Sequence, residues 1–168
     1  LVEHHPRTGW QKLLLLIGLI LFSPLWIALL IFGLVLYFAF GTSLYMAIRL
    51  SWLPRGKNTL FVYSNSPIWQ AYMLEQVLPP IRKRAVVVNW SDRKQWKKWS
   101  LSTLAFRYFR GRRNFNPLVI VFKPLQTAKT FRFWEPFKEW KHGNAELVES
   151  LRREVFRTLG VDATAPNP

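Results

Sequence analysis

The sequence predicts an α/β protein: an N-terminal transmembrane helix or short helical hairpin, then a small β-α-β-α-β-β-α domain. Three observations lead there. Residues 13–48 form a run of 36 positions with no charged side chain. After it, the short apolar runs TLFVY, AVVVN and LVIVF alternate with segments of helical pattern. The charge is also lopsided: residues 51–168 hold 21 basic and 8 acidic side chains, +13 of the chain's +15.

The length of 168 residues suits one membrane segment plus one domain of about 100 residues. Half the residues are hydrophobic and 16% are aromatic, which argues against disorder over most of the length. Cysteine is absent. That removes disulfides, thiol redox chemistry, Cys nucleophiles and thiolate metal sites together. No P-loop, G-x-G-x-x-G, H-E-x-x-H or G-x-S-x-G pattern occurs.

The organisation divides into a tail (1–11), a membrane-embedded segment (12–50), a linker (51–58), the basic domain (59–160) and a flexible tail (161–168). A helix crosses the hydrocarbon core with about 20 residues, and a cleaved secretory signal has a shorter apolar core. As one helix, the uncharged run would measure about 54 Å. Two solutions remain: a hairpin of two helices of about 18 residues turning near Gly33, or one span continued by helix in the interface. Ser23-Pro24 and Gly41-Thr42-Ser43 are weak points in either. Trp10, Tyr45 and Trp52 stand where interfacial aromatics are expected. Arg49, Arg55 and Lys57 follow the segment while Arg7 and Lys12 precede it, a bias toward a cytoplasmic C-terminal domain.

Pro54-Arg55-Gly56-Lys57-Asn58 reads as the linker. Thr59–Tyr63 is the first buried strand. Ser66 then caps a helix that begins at Pro67 and is stopped by Pro79-Pro80. Ile68, Trp69, Tyr72, Met73, Leu74 and Val77 make it apolar nearly all round, so burial on more than one side is expected. Ala85–Asn89 is the second strand. A helix from Asp92 to about Tyr108 follows, with Leu101, Leu104, Ala105 and Tyr108 at helical spacing and Gly111 ending it. Leu118–Phe122 is the third strand and Thr130–Trp134 the fourth, joined as a hairpin. A short helical turn fits Pro136–Lys141. Asn144 caps a last helix, Ala145–Leu159, with the stripe Val148, Leu151, Val155, Leu159 and a Glu149–Arg153 pair; Gly160 stops it. Continuous apolar strands imply a sheet covered on both faces.

This element order resembles the thioredoxin fold over about residues 58–160. Ser66-Pro67-Ile68-Trp69 stands where that family carries its C-x-x-C motif. Asn116-Pro117 and the strand after it are similar to the family's proline-led strand, in which the proline is cis and faces the redox motif. The resemblance implies the fold and a recognition groove beside Pro117. It implies no oxidoreductase, because Ser66 and Trp69 replace both cysteines and exchange needs a thiolate.

Two clusters are candidate sites. The loops after the first two strands carry Ser64, Asn65 and Ser66, and Asn89, Ser91, Asp92 and Arg93. With Trp69 and Pro117 they outline a crevice at the carboxyl ends of the strands, where open α/β sheets bind ligands. Helix capping explains the same residues without a ligand. The second cluster is Arg93–Arg113, with eight basic residues and no acid. Arg93, Lys94, Lys97, Lys98, Arg107, Arg110, Arg112 and Arg113 are interleaved with Trp96 and Trp99, the composition of a surface for anionic headgroups. A solvated helix face and nucleic-acid stacking fit the same composition. His142 reads as a helix-end residue, and His4 and His5 make a poor metal site without further ligands. No catalytic constellation, metal site or cofactor is expected. The expected partners are the lipid bilayer and a protein partner in a membrane complex, with nucleic acid behind them. The functions that follow are a non-enzymatic membrane-anchored interaction module, a membrane enzyme for lipid-linked or phosphate-bearing substrates, or a membrane-tethered nucleic-acid binder.

Overall fold

The computed structural model describes residues 9–113, 116–124 and 126–161. The expectations for His4, His5, Arg7 and the tail beyond Val161 lie outside the described residues. The chain divides into two compact units, Leu1–Thr42 and Ser43–Pro168.

The first unit is helical. One helix, α1, runs from Gly9 to Ser51 with Pro24 inside it. The hairpin alternative is therefore overturned. The helix passes straight through Gly33, where nothing lies within 4 Å of an added Cβ. No polar turn sequence offers the backbone another set of partners there, whereas a continuous helix satisfies its own. The side chains from Leu25 to Phe40 are exposed. Among the described residues, Ser23–Arg55 is the stretch long and apolar enough to cross a membrane.

The second unit is a four-stranded mixed sheet with helices on both faces. The strands are β1 (Thr59–Tyr63), β2 (Ala85–Asn89), β3 (Leu118–Val121) and β4 (Lys129–Arg132). Their order is β2-β1-β3-β4; β1 pairs parallel with β2, and β3 pairs antiparallel with both β1 and β4. Alternation along the strands divides the core in two. Phe61, Val119, Val121 and Phe131 join Met73, Val77, Phe137, Val148, Val155 and Phe156 on one face. Leu60, Val62, Leu118 and Ile120 join Ala105, Phe106 and Phe122 on the other.

That second face also recruits the end of α1. Leu44, Ile48 and Trp52 are core residues packed with Phe122. Tyr45 donates its hydroxyl hydrogen to the carbonyls of Lys123 and Gln126, the latter at 2.7 Å. Tyr45 and Trp52 thus serve the domain's packing and are not an interfacial belt; Trp10 stays 77% exposed. The expected linker is ordered too. Leu53–Arg55 is a 3-10 turn closed by Gly56 at φ 70°, and Asn58 N–H donates to the Arg84 carbonyl.

The helix after β1 departs from expectation. It comprises α2 (Gln70–Tyr72), a π-helical turn (Met73–Val77), α3 (Leu78–Ile81) and a 3-10 turn (Arg82–Arg84). Pro79-Pro80 do not stop it. They sit in the first turn of α3, where a missing N–H costs nothing. Its burial is one-sided: Met73 and Val77 are buried, whereas Ile68 is 41% exposed.

The C-terminal elements follow the expected pattern with shifted ends. α5 spans Trp134–Lys141 and α6 spans Glu146–Leu159. Asn144 Oδ1 accepts from Glu146 N–H at 3.1 Å, and Gly160 closes α6 at φ 61°. Glu149 pairs with Arg152 (2.6 Å) and not with Arg153. It also accepts from the Tyr72 hydroxyl at 2.8 Å. Burial, and then this bond and the carboxylate's charge, hold the Tyr72 phenol well above its ordinary range.

Candidate functional site

The loops after β1 and β2 do meet, as their positions at two neighbouring parallel strand ends require. Asn65 N–H donates to Ser91 Oγ at 3.0 Å. Asn89 Nδ2 donates to Asn65 Oδ1 and to Asp92 Oδ2, both at 2.9 Å. Asn89 Oδ1 caps the 3-10 turn Trp90–Gln95 by accepting from Ser91 N–H. Ser66 Oγ accepts from Ile68 N–H at 3.4 Å inside a turn, but α2 begins only at Gln70 with Trp69 at its cap and no side-chain cap bond, so Ser66 does not cap a helix starting at Pro67 as expected.

Beneath this network, Ser64 joins the Pro117 loop to Trp69. Its Oγ accepts from Trp69 Nε1 at 3.0 Å and from Asn116 Nδ2 at 2.8 Å. Trp69 is buried edge-on against Trp134, and the Asn116–Pro117 peptide is cis. The crevice residues thus come together, but their polar groups bond one another. Arg93 leaves this group: its guanidinium lies over the Trp90 ring, 5.1 Å from the centroid.

The basic cluster is not one amphipathic helix. Trp90–Gln95 is a 3-10 turn, residues 96–100 are non-helical, and α4 (Leu101–Phe109) begins only after them. Two side chains hold the break. Trp96 Nε1 donates to the Asn89 carbonyl at 3.0 Å, and Ser100 Oγ caps α4 by accepting from Thr103 N–H. Thr103, Ala105 and Phe106 are the buried positions of α4, while Leu101, Leu104 and Tyr108 are half-buried.

The break folds the basic segment around a depression of about 310 Å³. Trp90, Trp96, Thr103 and Phe106 line it together with Arg93, Lys94, Lys98, Arg107 and Arg110. The three rings pack edge-on or tilted, with centroids 5.3–5.7 Å apart. Arg110 lies over Phe106 at 5.5 Å. Among the described residues, no carboxylate lines the depression. No protein-family model, curated protein or solved structure matches this chain. The chemistry of the depression therefore stands on its own residues.

Five cations around a rigid aromatic floor attract anions, and arginine's planar fork suits phosphate oxygens. Six residues expected to bind lipid or anion lie here: Arg93, Lys94, Trp96, Lys98, Arg107 and Arg110. Lys97 lines a neighbouring groove instead. Trp99 is 84% exposed, and Arg112 and Arg113 are exposed beyond Gly111, outside the lining. Trp90 and Phe106 were not legible as site residues. Phe106 becomes one through its contacts with Trp90 and Trp96, and the Ser100–Thr103 spacing is the available sequence signal that α4 starts at Leu101.

Among the described residues, no group of His, Cys, Asp or Glu has the spacing to hold a metal ion. His142 ends α5, beside Gly143 at φ 91°.

Proposed function

We propose that this protein is a non-enzymatic, membrane-anchored interaction module whose basic depression receives the phosphate of anionic lipid headgroups. The observation that carries the reading is the pairing, on one chain, of a membrane-length apolar helix with five cations around one aromatic-lined hollow. The helix keeps the domain within reach of headgroups by chain connection alone. Each Lys or Arg near an anionic leaflet contributes about 1 kcal/mol, so the cluster suffices for firm contact. The basic residues after the helix favour a cytoplasmic placement of the domain. The mutual bonding of Asn65, Asn89, Ser91 and Asp92 favours this reading over an enzyme acting on lipid-linked substrates.

Within the same reading we propose that the domain is thioredoxin-like without redox function. The strand order supports this, as does the Asn116–Ser64–Trp69 link between the Pro117 loop and the Ser66–Trp69 segment.

The test uses the full chain in nanodiscs of neutral lipid, titrated with soluble glycerol phosphate, and in nanodiscs carrying an anionic lipid. Saturable binding of the soluble headgroup, quenching of tryptophan fluorescence in the anionic discs, and at least a tenfold loss in the Arg93→Glu/Arg107→Glu double variant are expected. Equal binding by the double variant would remove the depression from the reading. Salt-steep retention of RNA with no response to either phosphate probe would favour the nucleic-acid alternative.

A further inference from the structure

The two edges of the sheet are treated differently by the fold. β4 carries Lys129 and Arg132 at exposed positions, the usual charged protection of an edge. It is also tied to α4: Thr130 Oγ donates to the Phe109 carbonyl at 3.2 Å, and the Arg132 guanidinium donates to the Arg110 carbonyl. β2, the other edge, reads Ala-Val-Val-Val-Asn, with no charge and no proline, and Val87 is 42% exposed.

The direction of its backbone groups follows from two bonds. The Arg84 carbonyl points inward, since Asn58 N–H donates to it. The Asn89 carbonyl points outward, since Trp96 Nε1 donates to it. Carbonyls alternate along a strand, so those of Ala85 and Val87 also point outward, as does the Val87 N–H. Among the described residues β2 pairs with β1 alone, and none of them bonds these three groups. Beside them runs a groove of about 330 Å³ lined by Val87, Val88, Asn89, Asp92, Trp96 and Lys97, among others.

We propose that the β2 edge takes up an extended segment of a protein partner as a fifth strand, one with an apolar centre and acidic flanks. Charge selects that occupant. Arg82, Lys83 and Arg84 lead into the strand, and Arg93, Lys94 and Lys97 follow it, with Asp92 the lone acid between. Acidic residues at both ends of the added strand meet cations, its backbone bonds Val87, and one side chain enters the groove. A second copy of this chain would bring a further +15 against the same surface, which disfavours it.

The probe is a fluorescein-labelled synthetic peptide with an alternating valine–threonine centre and two acidic residues at each end. It is offered to the full chain in nanodiscs of neutral lipid. Saturable binding is expected, with hydrogen exchange at the Val87 amide slowed at least tenfold. Val87→Pro, which removes the outward N–H and is tolerated at a strand edge, lowers affinity at least tenfold. A peptide of the same charge with two central prolines does not bind. Absence of binding overturns the proposal, and so does equal binding of the proline-containing peptide, which would mean charge attraction alone. The second peptide decides the matter even if Val87→Pro fails to fold. In a chain without cysteine, rapid Val87→Cys disulfide dimers would also overturn it, assigning the edge to a second copy.

Discussion

The crevice at the ends of β1 and β2 and the depression beside α4 are built from neighbouring stretches of chain, yet they differ in what their polar groups are doing. In the crevice, asparagine, serine and aspartate find partners in one another across a short loop-to-loop distance. In the depression, like charges surround an aromatic floor, and none of the lining residues is an acid. Short side chains that both donate and accept can close a network among themselves. A set of cations alone cannot balance its own charge, and so it attracts anions. Polarity alone is therefore a weak mark of a site; polarity of one sign is a better one.

The strongest way to break the comparison is to remove the floor of the depression. Phe106 is buried and in contact with Trp90 and Trp96. Phe106→Ala is expected to cost about 3–5 kcal/mol in thermal unfolding and to abolish headgroup binding. Retained stability would mean the hollow is not part of the core. Next comes the crevice. Asn89→Ala removes the cap on Ser91 N–H together with both bonds from Nδ2. A loss of about 1–2 kcal/mol is expected, with headgroup binding unchanged. A large fall in binding would show that the crevice shares the ligand.

Gly111 gives a smaller effect. It adopts φ 75°, and an added Cβ would meet Arg132 Nη2 at 2.7 Å. Gly111→Ala is expected to cost about 1 kcal/mol in chemical denaturation, loosening the end of α4 but leaving the crevice bonds intact.

Tyr72 supplies the smallest and most conditional effect, at a closed polar contact that belongs to neither cluster. The folded state holds its proton above the ordinary tyrosine value of about 10. The unfolded chain releases that proton first, so the contribution is complete below about pH 10 and is lost as pH rises further. Tyr72→Phe is expected to cost about 1 kcal/mol at neutral pH and to flatten the alkaline fall in stability. An unchanged alkaline slope would remove Tyr72 from the account.

Much of the domain was legible in the chain. TLFVY and AVVVN became strands with the expected ends, and LVIVF gave up only its last residue. Those runs are short, β-branched and apolar; the central strands TLFV and LVIV are buried in the sheet, whereas the edge strand AVVVN buries only Ala85. The errors lie where a local signal had two readings. Pro79-Pro80 marks a stop when counted from Pro67 and a start when a π turn resets the register. Tyr45 and Trp52 look like membrane-interface residues until Phe122 is found against both. Asp92 to about Tyr108 reads as one helix, and Trp96 and Ser100 break it through one side-chain bond each.

The residues themselves determined an apolar stretch of membrane length, the alternation of strand and helix, and the excess of positive charge, because these depend on composition and on period along one segment; that the stretch is one helix and not a hairpin was decided by the structure. Tertiary structure decided which tryptophans face which cations, that the end of α1 completes the domain's core, and that one edge of the sheet is tied while the other is open. Those features rest on contacts between segments far apart in sequence, and no periodicity within a single segment encodes them.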